Sequence, residues 1–393
     1  MNMKTTTSPT LTSEKFDLIC FSHLRWDFVY QRPQHLFSRF GKHLRTFFIE
    51  EPVFMDGKER FEHKPTKEGV QVLVPQLNHG LSEEEVNVRL ANLLSELIDE
   101  KQIDDYVLWY YTPMALAFSH HLQPKMTVYD CMDELSAFKF APPALKQLEK
   151  DLLSKADLVF TGGVSLYEHK KDQHHNIYPF PSSIDYKHFG QARTIRQEPA
   201  DQQHIPHPRI GFYGVVDERF DIELVDKVAE KRPDWHFIIL GPVVKIDPAT
   251  LPQRENIHYL GGKSYDELPA YLSGWDIATI PFARNESTRF ISPTKTPEYL
   301  AAGRPVISTS IHDVVNPYEK NNLVHIADDD AAFINAAERI MRKHDKNHWL
   351  IQVDAFLANN SWDKTWGAML QLMNMTIKDK NTQNTKKTKE AYV

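Results

Sequence analysis

Cysteine is almost absent: the 393 residues hold only Cys20 and Cys131. Both sit in apolar, strand-like stretches, and two thiols build neither a disulfide framework nor a C-x-x-C metal site. A reducing cytoplasm suits such a chain. Long apolar runs are missing as well. No stretch reaches the roughly 18 apolar residues of a membrane-spanning helix, so contact with the inner face of a membrane, if any, is peripheral. Residues 1–15 are polar and rich in Thr and Ser, without the apolar centre of a signal peptide. Positive charge is not in excess either. The 46 Lys and Arg stand against 53 Asp and Glu, a formal balance of −7, which gives no global basic field for nucleic acid. A G-x-G-x-x-G fingerprint is lacking, which disfavours a dehydrogenase. The histidines are scattered. The adjacent pairs His120-His121 and His174-His175 face different ways on a helix and make poor metal ligands, so no metal site is expected.

What is present is two α/β series in tandem. Short apolar runs at 16–22, 46–50, 70–74, 106–109, 126–129 and 158–161 alternate with helical patterns such as the amphipathic 82–101. A second series has strands at 210–213, 237–240, 257–259, 277–280 and 306–308, with a weaker one at 323–326. Strands alternating with helices imply a parallel sheet covered on both faces, whose ligands bind beyond the strands' carboxyl ends. The division predicted is a flexible tail at 1–14, a Rossmann-like domain at 15–190 and a linker at 191–208. A second Rossmann-like domain follows at 209–360, then a crossover helix at 361–376 and a disordered, Lys-rich tail at 377–393.

The richest segment runs from Arg289 to Ser308. Ser292 is a good N-cap and Pro293 a good first helical residue, with Gly303 as a stop. The unpaired N–H groups of such a helix, with Thr294 and Lys295 beside them, suit a diphosphate. Glu298, one turn on, suits ribose hydroxyls. A surface Lys–Glu pair on an ordinary helix is the plainer alternative. At the end of the first C-terminal strand, Gly214 lets a phosphate approach the backbone, and Arg219 pairs either with that phosphate or, on the surface, with Asp217 or Asp221. In the first half, the loop after the first strand carries His23, Arg25 and Trp26, suited to sugar rings or an acceptor phosphate. Against this stands a packed loop with Trp26 in the core. Asp130 and Asp133 follow another strand; Asp130 is the favoured base for an acceptor hydroxyl, while Asp133 either reaches a sugar or caps the next helix.

The Ser292-to-Val306 segment, ending in Gly303-Arg304-Pro305-Val306, resembles the signature of retaining GT-B glycosyltransferases with an E-x7-E motif. Together with the Ser22–His35 loop it is similar to a subgroup of exopolysaccharide and teichuronic acid biosynthesis transferases. The resemblance implies two facing Rossmann-like domains and transfer from a nucleotide diphosphate sugar, with no bound cofactor or metal. A glycan or lipid-linked acceptor is also implied. Glu298 takes the place of the motif's second Glu. The first falls on Phe290, and Glu286 or Arg289 stands nearby. The segment from Asn256 to Pro269 resembles the family's base-binding stretch, with backbone groups from Leu260 and Gly261 to Lys263 at the base edge and Tyr265 read first as core. A nucleotide-sugar epimerase or hydrolase, or a non-catalytic binding scaffold, are the rival readings.

Overall fold

A computed structural model of the chain describes residues 16–342 and 346–391; the expected tail at 1–14 lies outside them. Among the described residues nine strands make the first sheet. They are β1 (Asp17–Phe21), β2 (Thr46–Ile49), β3 (Val53–Phe54), β4 (Arg60–Pro65), β5 (Val70–Leu77), β6 (Tyr106–Tyr110), β7 (Met126–Cys131), β8 (Leu158–Thr161) and β9 (Ile177–Pro179). Their order is β3-β5-β2-β1-β6-β7-β8-β9, all parallel except β4, which pairs antiparallel with β5. The second sheet holds β10 (Arg209–Tyr213), β11 (His236–Leu240), β12 (Ile257–Gly261), β13 (Ile277–Ile280), β14 (Val306–Ser308) and β15 (Val324–Ile326). It is parallel throughout, in the order β12-β11-β10-β13-β14-β15. The central strands are unbroken apolar runs because helices cover both faces. In each sheet the order reverses beside its first strand, between β1 and β6 and between β10 and β13. Connections diverge there and open a crevice at the carboxyl ends.

The stretch at 191–208, expected as a linker, packs onto the second domain. Ala192 and Ile205 join its core, and buried Gln202 accepts from Trp275 Nε1 and donates to the Tyr271 carbonyl.

The closing helix, Trp362–Ala391, returns to the first domain. Trp362, Trp366, Met369, Leu370, Met373 and Ile377 enter the core between the first sheet and the Arg32–Phe40 helix. Trp362 stacks on His35 at 4.6 Å. Burying such side chains is worth about 1.5–3 kcal/mol each. The expected disordered stretch at 377–391 is instead the continuation of this helix: it contains neither Pro nor Gly to stop it. No described helix is long and apolar enough to cross a membrane.

Candidate active site

Both crevices open into one cleft of about 1670 Å³, walled by both domains. Its best-furnished corner lies where β10 and β13 part. The helix there is Lys295–Ala301, two residues shorter at its start than the sequence predicts. Ser292 is therefore not its N-cap, and Thr294 flanks it in helical conformation without a side-chain cap. Lys295 points into the cleft over the rings of Phe212 and Phe282, 5.6 Å from each, and takes part in no hydrogen bond or ion pair among the described residues. Gly214, at φ +141°, makes this placement available: a Cβ there would lie 2.3 Å from Lys295 Cε. Glu298 is buried and accepts from the Tyr213 hydroxyl, while the Tyr213 N–H donates to Tyr299 Oη at 3.0 Å. Burial shifts both members of the Lys295–Glu298 pair towards neutrality. The ammonium is pulled below its ordinary value, helped by nearby Arg219, and the carboxyl is raised above its own. A phosphate beside Lys295 would reverse the first shift.

Arg219 takes the plainer of its two expected roles, with Asp217 and not Asp221, which caps the Ile222–Lys231 helix. Its guanidinium grips Asp217, with Nη2 2.7 Å from Oδ2, and still lines the cleft. Across from it stands Asp133, half-buried at the cleft wall, its carboxyl pushed up to about 6 by burial against the opposing pull of Arg219, Arg32 and Lys295. Asp130 is a correction. It lies fully buried beneath the cleft, with both oxygens on Arg32 at 2.8 and 3.0 Å, and does not line the cavity. A carboxylate so engaged cannot reach an acceptor hydroxyl.

The loop after β1 divides similarly. His23 lines the cleft, its Nδ1 has no partner, and burial lowers its pKa to about 4, so the ring is neutral at pH 7. Arg25 also reaches the rim, but its guanidinium is tied to Glu50 at 2.9 Å and to the Glu51 carbonyl at 2.6 Å. Trp26 packs as the plainer alternative had it, 7% exposed and edge-on against Phe48 at 5.1 Å, while also forming part of the cleft lining. Arg289 is a second correction, since it is exposed, leans on Phe290 and does not line the cleft. Leu260 and Gly261 are a third; the lining begins after them, at Gly262 through Tyr265. The Tyr265 ring stacks on His188 at 4.2 Å and meets Tyr30 at 4.6 Å, while its buried hydroxyl finds no partner. Its ring packs as expected, but the orphan hydroxyl was not foreseen. Tyr213 was not singled out either; its place directly before Gly214 at the end of β10 was the available signal.

The two walls are joined at the cleft floor. Asp313, from the short helix His312–Val315 that follows β14, accepts from the N–H groups of Val164 at 2.9 Å and Ser165 at 3.0 Å. It thus caps the Val164–Lys170 helix of the other domain. A Cβ on Gly163 would strike this carboxylate at 2.2 Å. Ser182 Oγ donates to the Ser292 carbonyl at 2.7 Å beside it.

Comparison with known proteins follows the same lines. Residues 207–343 match the family described as Glycosyl transferases group 1. A Bacillus subtilis (strain 168) protein, TuaH, which bears the name of a teichuronic acid biosynthesis glycosyltransferase, is 24% identical over 246 residues. That alignment spans 57% of this chain and 60% of TuaH. Among solved structures, sucrose-phosphate synthase from Thermosynechococcus elongatus is similar with a TM-score of 0.68 at 14% identity, over 92% of this chain and 99% of that one. An E. coli trehalose-6-phosphate protein bound with UDP-2-fluoro glucose gives 0.65 at 11%, over 92% and 99%. The catalytic domain of starch synthase IV from Arabidopsis thaliana, bound to ADP and acarbose, gives 0.62 at 10%, over 93% and 100%. At these identities the likeness is one of fold: two Rossmann-like domains facing across a cleft, the GT-B arrangement.

Proposed function

We propose that this chain is a glycosyltransferase that moves a sugar, with retention, from a nucleoside diphosphate donor to a glycan or lipid-linked acceptor in cell-surface polysaccharide synthesis. The observation that carries the reading is Lys295, whose ammonium faces the cleft without a direct ion-pair or hydrogen-bond partner among the described residues, one helical turn from the buried Glu298. A diphosphate placed there neutralises Lys295 and meets Arg219 on its other side. Glu298, held by Tyr213, accepts from ribose hydroxyls. As the bond to the sugar breaks, charge grows on the leaving diphosphate, and the fixed cations lower that barrier. Asp133 and His23 face the sugar from the opposite wall, and the acceptor hydroxyl attacks from the face the diphosphate leaves. The match of residues 207–343 to a glycosyl transferase family and the name borne by TuaH support the class of reaction.

The test is thermal denaturation of the full chain with UDP, GDP, dTDP, ADP and their sugar conjugates. A nucleotide at about 100 times its Kd adds about 2.7 kcal/mol of stability. Stabilisation by one base, lost in Lys295→Ala and in Glu298→Ala, is expected. No shift with any nucleotide at millimolar concentration would overturn the donor assignment.

A further inference from the structure

The donor corner leaves the outer cleft unaccounted for, and its composition is unusual for a protein of net charge −7. The loop after Asp133 projects Phe138, Lys139 and Phe140 from the first domain. Phe138 lies under two cations of the second domain, Arg219 and Lys245, each 5.4 Å from its ring centroid. Lys139 rests 5.1 Å from the centre of the Phe140 ring. Neither Lys139 nor Lys245 enters an ion pair or hydrogen bond among the described residues, although most Arg side chains around the cleft are committed. Phe140 is 77% exposed at φ +68°, a conformation bulky residues rarely adopt, and Phe28 across the rim is 54% exposed. Backbone strain of this kind gathers at ligand sites. Flat exposed rings beside unpaired ammonium groups are the complement of a sugar ring that carries an anion: the ring face stacks, and the anion takes the lysines.

We infer that the Phe138–Phe140 loop and Lys245 form an acceptor subsite for an acidic glycan, with Phe140 and Phe28 as platforms for its sugar rings and Lys139 and Lys245 as the receptors for a carboxylate or phosphate. The inference rests on the donor reading above and specifies its acceptor. A membrane surface would also attract Phe and Lys, but these residues line a concavity.

Binding of a galacturonic acid hexamer to the full chain, with and without UDP, tests this. Its methyl ester supplies the same chain without charge, and pentamannose 6-phosphate supplies the phosphate-bearing arm. One of the two charged probes should bind at least about tenfold tighter than the ester, with an affinity that falls as salt rises. Lys245→Glu and Lys139→Glu should each weaken it by about tenfold, and Phe140→Ala should weaken charged and esterified probes alike. Affinity for whichever nucleoside diphosphate stabilises the chain should stay unchanged in Lys139→Glu and Phe140→Ala. Failure of both charged probes to bind better than the ester, or binding indifferent to both lysine variants, would overturn the subsite. So would capture of the protein by phosphatidylglycerol vesicles that Phe140→Ala abolishes while glycan binding is untouched. Absence of binding by UDP, GDP, dTDP and ADP alike in the wild-type chain would instead overturn the donor reading, so the two failures are told apart.

Discussion

Gly214→Ala would perturb the donor corner without removing any group that touches a ligand. The new Cβ would lie 2.3 Å from Lys295 Cε and 2.7 Å from Nζ. The far end of a lysine moves at little cost, so the clash resolves by swinging the ammonium away and not by shifting the sheet. The backbone pays separately: alanine at φ +141° costs about 1–3 kcal/mol. Losing the ammonium–phosphate contact costs about 1.5–3 kcal/mol, which is roughly 10- to 150-fold in Kd. Calorimetric titration of the stabilising nucleotide into wild type, Gly214→Ala, Lys295→Met and the double variant separates these effects. Both single variants should bind in that weakened range. The double should bind no worse than Lys295→Met alone, because both changes act through one ammonium. Its melting temperature should still fall below that of Lys295→Met, because the backbone strain persists. Wild-type affinity in Gly214→Ala, or losses that add in full, would refute the reasoning.

Asp133→Asn tests the shifted carboxyl at the cleft wall. Its folded pKa, about 6, stands above the ordinary 3.8, so the folded chain holds a proton that the unfolded one has lost and stability falls as pH rises through that window. The variant should therefore be more stable than wild type by about 1–2 kcal/mol at pH 7.5, allowing for partial exposure, with the gap closing by pH 4 and activity lost. A gap independent of pH in chemical denaturation would contradict this. Asp130→Ala strands the buried Arg32 and should cost about 3–5 kcal/mol of stability; a stably folded but inactive protein would restore Asp130 to the reaction. Asp313→Ala uncaps the Val164–Lys170 helix and should cost about 1 kcal/mol. It should also raise the radius of gyration in X-ray scattering, and an unchanged radius would show that the domains are held elsewhere.

The alternation of buried strands with amphipathic helices was legible because apolar runs leave a period in the chain. All six strands of the second sheet were readable in this way. β4 was not: Arg60, Glu62, His63 and Lys64 give an edge strand no apolar signature. Gly214, Lys295 and Glu298 were recognisable because glycine, charge and helix position are local properties, and the structure does bring the three together. Asp130 and Asp133 were not separable in sequence. Three residues along the chain decide which of them meets Arg32 below the floor, and Arg32 is 98 residues away from Asp130. Trp26 and Arg25 misled for a related reason. Their partners Phe48 and Glu50 sit on and just after β2, which β1 meets only once the sheet has formed.

The return of the Trp362–Ala391 helix bears on how the protein is made. The first domain's core waits for Trp362, Trp366 and Met373, which are translated only after the whole second domain. At 5–20 residues per second that delay is roughly 10–40 s. Throughout it the Arg32–Phe40 helix lacks the cover that the closing helix will give it, while the second domain, whose core draws on residues from Ile184 to Leu357, is still being completed. Both domains should therefore close together near the end of synthesis, and a nascent chain arrested before residue 362 should be the species that chaperones hold.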